Sequence, residues 1–203
     1  RAFDRQLGEV VLRLRRRGAY DRTLLCVASD HGHSEVHRHF DLCSFFDRRG
    51  LKTLSYPNAF QRWFGADVGV MVGGNGMAHV YLRGAGWDAP ETAEERLGRM
   101  PGLVEDLLAE EAVDVVAWPG ARGVEIRSRR GAARVRLDED VEYEQHGPDP
   151  FGYGPLPARM SRAEALAATF DTDYPDGPVQ SAQIFGAPRA GDLVVTARPG
   201  WDL

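Results

Sequence analysis

An adjacent aspartate and histidine, Asp30 and His31, are the residues of this chain whose types and position best suit catalytic chemistry. They follow the apolar run at residues 23–29 and directly precede Gly32. The run predicts a strand buried on both faces, and ligands in open α/β sheets collect where such strands end. Gly32 has no Cβ, so the backbone can curl and bring both side chains to one ion. The order of residues therefore predicts a metal site.

The donor types of Asp30 and His31 narrow the choice of metal. A carboxylate oxygen and an imidazole nitrogen together suit zinc, manganese or iron better than calcium, although two ligands do not choose among those three. A competing interpretation is an aspartate that caps the turn beside a hydrogen-bonded histidine, because short motifs also match by accident.

Further histidines follow the motif at positions 33, 37 and 39. Their spacing permits a local zinc cluster of His33, His37 and His39, and His37 or His39 could instead contact a substrate phosphate. Surface histidines beside an active site are the commoner arrangement. A more distant histidine, His79, is expected on the surface of a strand near Tyr81 and outside the metal site.

Other segments resemble binding sites only at first sight. The glycine-rich residues 73–76 precede a strand rather than a helix, which predicts a hairpin turn and not a phosphate-binding loop. The acidic residues 138–140 are typical of a solvated turn. Asp171, Asp173 and Asp176 lack the glycine and distal glutamate of a calcium loop, so they too are interpreted as turn-forming acids.

The elements that must position the candidate residues follow an α/β order. Apolar spacing predicts a helix at residues 3–17 with one buried stripe, ended by Gly18. Ser161 with Glu164 predicts a capping box. The remaining predicted elements are helices at 40–49, 101–108, 161–170 and 178–185, and strands at 51–54, 68–72, 78–82, 113–118, 123–126 and 192–197, with a β-meander over 122–144. The expected domains are a partial catalytic α/β core at 1–65, an α+β insertion and β-meander at 66–158, and a return to the core at 159–203.

Composition limits the class of protein. The 203 residues are 43% hydrophobic, which is enough for one sizeable core. The formal net charge of −5 argues against a nucleic-acid partner or an anionic membrane surface, since such partners require clustered excess cation. No apolar run approaches the length of a membrane span. The two cysteines, Cys26 and Cys43, are expected to be buried free thiols.

Three segments in a fixed order resemble a known family. Residues 24–32, 73–82 and 191–195 are together similar to the type I phosphodiesterase and nucleotide pyrophosphatase branch of the alkaline phosphatase superfamily. Ser29-Asp30-His31-Gly32 matches the motif that holds the second metal in that family. His33 stands where the family usually has methionine.

The resemblance implies an alkaline-phosphatase-like α/β/α sandwich, partial in this chain, with a small α+β insertion. It also implies a hydrolase of small phosphorylated substrates, whether phosphodiesters, nucleotide pyrophosphates or phosphomonoesters, with a Ser or Thr nucleophile and two divalent metals. Zinc is the first choice and manganese or iron are the alternatives. Asp30 and His31 would hold the metal that also contacts the nucleophile.

The family's remaining catalytic residues do not carry over to this sequence. Its nucleophile and first aspartate ligand lie far upstream, its Asp-x-x-Gly-His motif lies before the region that opens here, and its last histidine ligand follows the region that closes here. We therefore expect an incomplete catalytic domain that alone binds metal weakly and is inactive. The alternatives are a noncatalytic α/β module that binds a ligand or partner, and a phosphotransferase or mutase.

Overall fold

The computed structural model describes residues 2–29, 32, 34–55 and 65–203. The chain forms two compact units, Arg1–Ser34 and Glu35–Leu203. The first unit contains helix α1, Ala2–Arg16, and a short 3-10 turn at Tyr20–Arg22. None of the helices in the described part of the chain is both long enough and apolar enough to cross a bilayer.

Helix α1 confirms the predicted N-terminal helix and its stop. Gly18 has a φ of +59°, which a residue without Cβ adopts easily, and its amide donates to the Arg15 carbonyl at 3.0 Å. The predicted burial of its apolar stripe is wrong for the described residues, because no residue of α1 is buried and Phe3 is 64% exposed. A helical stripe becomes buried only when another element packs against it.

The predicted strand at residues 23–29 is also wrong. These residues adopt no regular secondary structure, all of them are exposed, and the side chain of Leu24 is 95% exposed. Cys26 is correspondingly exposed rather than buried, Cys43 is partly buried, and neither cysteine is in a disulfide within the described residues. A strand is made by hydrogen bonds to a neighbouring strand, and no described strand pairs with this segment. Apolar β-type composition therefore did not suffice to form one.

The described residues of the second unit form the rest of the fold. In chain order the elements are β1 Val36–His39, α2 Leu42–Arg48, β2 Thr53–Ser55, β3 Val68–Gly73, β4 Met77–Leu82, α3 Ala93–Gly98, α4 Leu103–Ala109, β5 Val113–Gly120, β6 Gly123–Ser128, β7 Ala132–Leu137, β8 Val141–His146, β9 Arg159–Met160, α5 Arg162–Thr169, α6 Gly177–Ile184, β10 Leu193–Ala197 and β11 Gly200–Asp202.

Nine of the described strands form one mixed sheet in the order β2-β3-β4-β10-β5-β6-β7-β8-β9. Strands β2 and β3 are parallel, and the other neighbours are antiparallel. Strands β1 and β11 form a separate parallel pair. This mixed sheet with its helices confirms the α/β class and agrees with an alkaline-phosphatase-like fold. The predicted domain boundaries after residues 65 and 158 stay a prediction.

The core of the second unit consists of two buried clusters on opposite faces of the sheet. Val116 belongs to one cluster, whereas its strand neighbours Val115 and Ala117 belong to the other. This division follows from the alternation of side chains along a strand. Helices α2 and α4 contribute to the first cluster, and α5 and α6 contribute to the second.

Local signals account for most helix and turn positions. Ser161 and Glu164 form the predicted capping box of α5, with the Glu164 amide donating to the Ser161 hydroxyl at 3.2 Å. In the β3–β4 hairpin, three residues (74–76) connect Gly73 to its partner Met77. Gly74 and Asn75 have positive φ of 63° and 65°, which glycine and asparagine adopt more readily than other residues. Helix α3, which Thr92 caps, was not predicted, so two helices rather than one lie between strands β4 and β5.

Candidate active site

The two residues with the strongest chemical prediction, Asp30 and His31, lie outside the described residues, as does His33. Their assignment as metal ligands therefore stays a prediction. The flanking Ser29 and Gly32 are described and are both exposed.

Strand β1 follows the motif and carries His37 and His39. The register of β1 against β11 shifts between Val36 and Arg38, so the strand is irregular at His37. The His37 Nε2 lies 3.6 Å from the Glu35 carboxylate, and both side chains are largely exposed. The His39 Nδ1 lies 2.8 Å from Asp202 Oδ1 on β11. Each described histidine of the predicted cluster therefore has a carboxylate neighbour of its own.

The pairing of β1 with β11 brings His39 and Asp202 together. Besides this contact, the Phe40 amide donates to the Asp202 carbonyl at 2.9 Å. On the other face of β1, the Arg38 guanidinium lies 5.1 Å from the centre of the Trp201 ring. A carboxylate that accepts from Nδ1 fixes a histidine's orientation and leaves Nε2 available to a ligand. Among the described histidines near the motif, His39 is the one held in this way.

The electrostatic surroundings of His39 include a second carboxylate. The Ser44 hydroxyl and amide donate to Asp41 at 2.6 and 3.0 Å, and these bonds lower the pKa of that carboxyl below its usual range. The nearby His39 lowers the pKa of Asp41 further. Asp41 is thereby engaged as the N-cap of α2.

His79 lies on β4 near Tyr81, as predicted, with ring centroids 6.4 Å apart. It is partly buried, and its Nδ1 accepts a hydrogen bond from the Gly191 amide at 3.1 Å. Burial lowers the pKa of His79. His79 therefore contributes to the contacts that hold the sheet together.

No group of three or more His, Cys, Asp or Glu residues in the described part of the chain is arranged to hold a metal ion. The acidic turn agrees with this finding, because Asp138 and Asp140 pair with Arg136 and Arg159 respectively. Asp176 has a φ of 58° at the start of α6, which suits its predicted role as a turn residue.

A buried carboxylate that the sequence did not single out organises the loop after β8. Asp149 is 5% exposed and accepts four hydrogen bonds. Its Oδ2 accepts from the Tyr143 hydroxyl at 2.7 Å and from Gln145 Nε2 at 2.6 Å. Its Oδ1 accepts from the amides of Phe151 and Tyr153 at 2.8 and 3.3 Å. Asp149 is therefore occupied by structural contacts.

A second buried carboxylate, Asp114, lies in β5 and is 7% exposed. It pairs with Arg130 at 3.0 Å and accepts a hydrogen bond from the Tyr174 hydroxyl. Arg130 Nε also donates to the Pro150 carbonyl at 2.8 Å. In the sequence, Asp114 is a single acid within an apolar segment and Asp149 is a single acid within a loop. Neither pattern indicates the hydrogen-bond partners of these two carboxylates.

Comparison with known proteins gives one match. The model of a family described as type I phosphodiesterase / nucleotide pyrophosphatase matches residues 1–203, a range that includes Asp30 and His31. Neither the curated proteins nor the solved structures gave a match.

Proposed function

This chain belongs to the type I phosphodiesterase / nucleotide pyrophosphatase family, and from that membership we propose that the intact protein is a metal-dependent hydrolase of small phosphorylated substrates. The proposed reaction cleaves a phosphoric ester or pyrophosphate bond with a Ser or Thr nucleophile and two divalent metal ions. The observation that carries the proposal is the family match, which includes the motif at residues 29–32.

Asp30 and His31 are the residues proposed to hold one of the two metals. Their carboxylate oxygen and imidazole nitrogen are donors that zinc accepts, with manganese or iron as alternatives. When bound, a pair of cations about 4 Å apart would supply positive charge opposite the attacking and leaving oxygens of an in-line displacement. The contribution of this chain is then to hold a carboxylate and an imidazole side by side before Gly32.

The test uses the intact protein loaded with zinc or manganese. Hydrolysis of a nitrophenyl phosphodiester, a nitrophenyl phosphomonoester and a nucleotide pyrophosphate is compared before and after removal of metal by a chelator. We expect activity on at least one substrate, loss of that activity with chelator, and recovery on adding metal back. Loss of a residue that only supports a metal ligand lowers activity by up to about 100-fold. Because Asp30 and His31 would bind the metal directly, Asp30→Ala and His31→Ala should each lower kcat by more than that.

The matched control for Asp30→Ala is Asp21→Ala, which removes an exposed carboxylate from the 3-10 turn of the same unit. This variant should keep wild-type activity and metal content. Full activity of Asp30→Ala would reject the assigned metal ligand. Ligand binding without turnover of any of the three substrate classes would reject the enzyme and favour a noncatalytic binding module.

A further inference from the structure

The segment that leads into β10 lies against the side chains of β4. The Gly191 amide donates to the Nδ1 of His79 at 3.1 Å. Tyr81 lies two residues after His79 on the same strand, and its hydroxyl donates to the Arg189 carbonyl at 2.8 Å. Both contacts join side chains of β4 to the backbone of residues 189–191, so one face of the strand holds this connection.

The connection also lies close to the backbone of β4. A Cβ added to Gly191 would come within 2.8 Å of the Val80 carbonyl oxygen and 2.9 Å of the Val80 nitrogen. Immediately afterwards, Asp192 Oδ2 accepts from the Leu82 amide at 2.7 Å and pairs with Arg96 at 3.2 Å. Asp192 therefore anchors one end of the connection independently of His79.

The hydrogen bond to Gly191 requires one protonation state of His79. An imidazole nitrogen accepts a hydrogen bond only when it carries no proton, so the neutral ring here carries its proton on Nε2. A protonated ring has N–H groups at both nitrogens. Its Nδ1–H would then face the Gly191 N–H, and the acceptor would be lost.

The surroundings of His79 offer little compensation for a positive charge. Its cross-strand neighbours are Met71 on β3 and Val194 on β10, and neither of those strands contains a charged residue. Among the described residues, the titratable and charged groups on β4 itself and on the connection are Tyr81, Arg189 and Asp192. Helix α3, which packs against β4, adds Glu94, Glu95 and Arg96. Glu94 accepts from the Ala121 amide, and Glu95 belongs to the capping box of α3. Asp192 is already engaged by Arg96.

We propose that His79 is a pH-sensitive clasp that holds the Gly191 amide on β4 while it is neutral and releases that amide when it is protonated. Burial lowers the pKa of His79 from its usual 6.5. The hydrogen bond is therefore fully present above pH 6.5 and is lost as the pH falls through the lowered pKa. Release loosens the connection at Gly191 and leaves the Tyr81–Arg189 hydrogen bond and the Asp192 anchor in place.

The test is amide hydrogen exchange of the intact protein, read by mass spectrometry on peptides that contain Gly191. Exchange is compared between about pH 7.5 and a pH below the measured titration midpoint of His79, after correction for the intrinsic pH dependence of exchange. We expect the protection of the Gly191 amide to fall about fivefold, the factor that corresponds to one net hydrogen bond. Unchanged protection would overturn the proposal.

The informative variant is His79→Asn, whose Oδ1 keeps an acceptor near the position of Nδ1 and does not titrate in this range. It should retain protection at both pH values. The matched control, His146→Asn, replaces an exposed histidine at the end of β8 and should behave as the wild type. An equal loss of protection in His79→Asn and in the wild type would show that another group causes the pH dependence.

A measurement on the wild type keeps the test decisive if His79→Asn does not fold. Exchange of the imidazole C2 proton, also read by mass spectrometry, gives the titration midpoint of His79. This midpoint should lie below 6.5 and coincide with the loss of Gly191 protection. Midpoints that differ by a pH unit or more would contradict the clasp.

Discussion

The buried carboxylate of Asp149 offers the sharpest test of how the second unit is held together. The perturbation is Asp149→Ala, which removes the acceptor of four hydrogen bonds at a position that is 5% exposed. The Tyr143 hydroxyl loses its acceptor inside the core, where this residue is 2% exposed. The amides of Phe151 and Tyr153 lose theirs as well.

The expected cost follows from the donors left without a partner. Each buried donor that loses its acceptor costs about 1–3 kcal/mol, and three such donors contact Asp149: the Tyr143 hydroxyl and the amides of Phe151 and Tyr153. We therefore expect Asp149→Ala to lower the free energy of unfolding by about 3 kcal/mol or more. Asp149→Asn retains an oxygen for the two backbone amides and should cost about 1–2 kcal/mol.

Equilibrium urea unfolding measures both variants against the wild type. A shift of the midpoint at constant m-value reports a change in stability. The control is Asp138→Ala, because this carboxylate makes a surface ion pair with Arg136 and its side chain is 72% exposed. Its loss should cost less than about 1 kcal/mol. The reasoning is refuted if Asp149→Ala is no more destabilising than Asp138→Ala.

Two further predictions concern a helix cap and a buried phenol. Ser161→Ala removes the acceptor of the Glu164 amide and should lower the free energy of unfolding by about 1 kcal/mol, whereas Ser161→Thr should cost little; equal losses in urea unfolding would contradict the capping role. Burial, and then the hydrogen bond to Asp114, raises the pKa of Tyr174 from 10.0 to about 12. The stability that Tyr174 contributes is therefore present below pH 10 and is lost as the pH rises through about 12. Tyr174→Phe should accordingly show a shallower decline of Tm between these pH values than the wild type. An unchanged slope of Tm against pH would contradict this assignment.

The elements that the sequence predicted correctly are those with local causes. The capping box of α5 needs only Ser161 and Glu164, and the β3–β4 turn needs only residues that tolerate positive φ. Helix α3 has the same kind of capping box, at Thr92 and Glu95, but it is short and only Ala93 in it is buried. It therefore lacks the apolar periodicity by which longer helices are found.

Features that depend on distant partners were beyond local patterns. The residues of the His39–Asp202 contact are 163 positions apart in the chain, and nothing around either residue indicates the other. Residues 23–29 show the converse case, since their composition predicted a buried strand that has no described neighbour. The motif of the candidate site could be identified from the sequence because Asp30 and His31 are adjacent. Their role as metal ligands stays a prediction.

The position of β10 has a consequence for the order in which the molecule can be assembled during synthesis. Strand β10 lies between β4 and β5, although residues 193–197 emerge from the ribosome long after both. Until then, β4 and β5 each present an unpaired edge, and such edges recruit other chains. The nascent second unit is therefore exposed to misassociation until a late strand joins the two halves of its sheet, and its vulnerability to aggregation should depend on the speed of translation over this stretch.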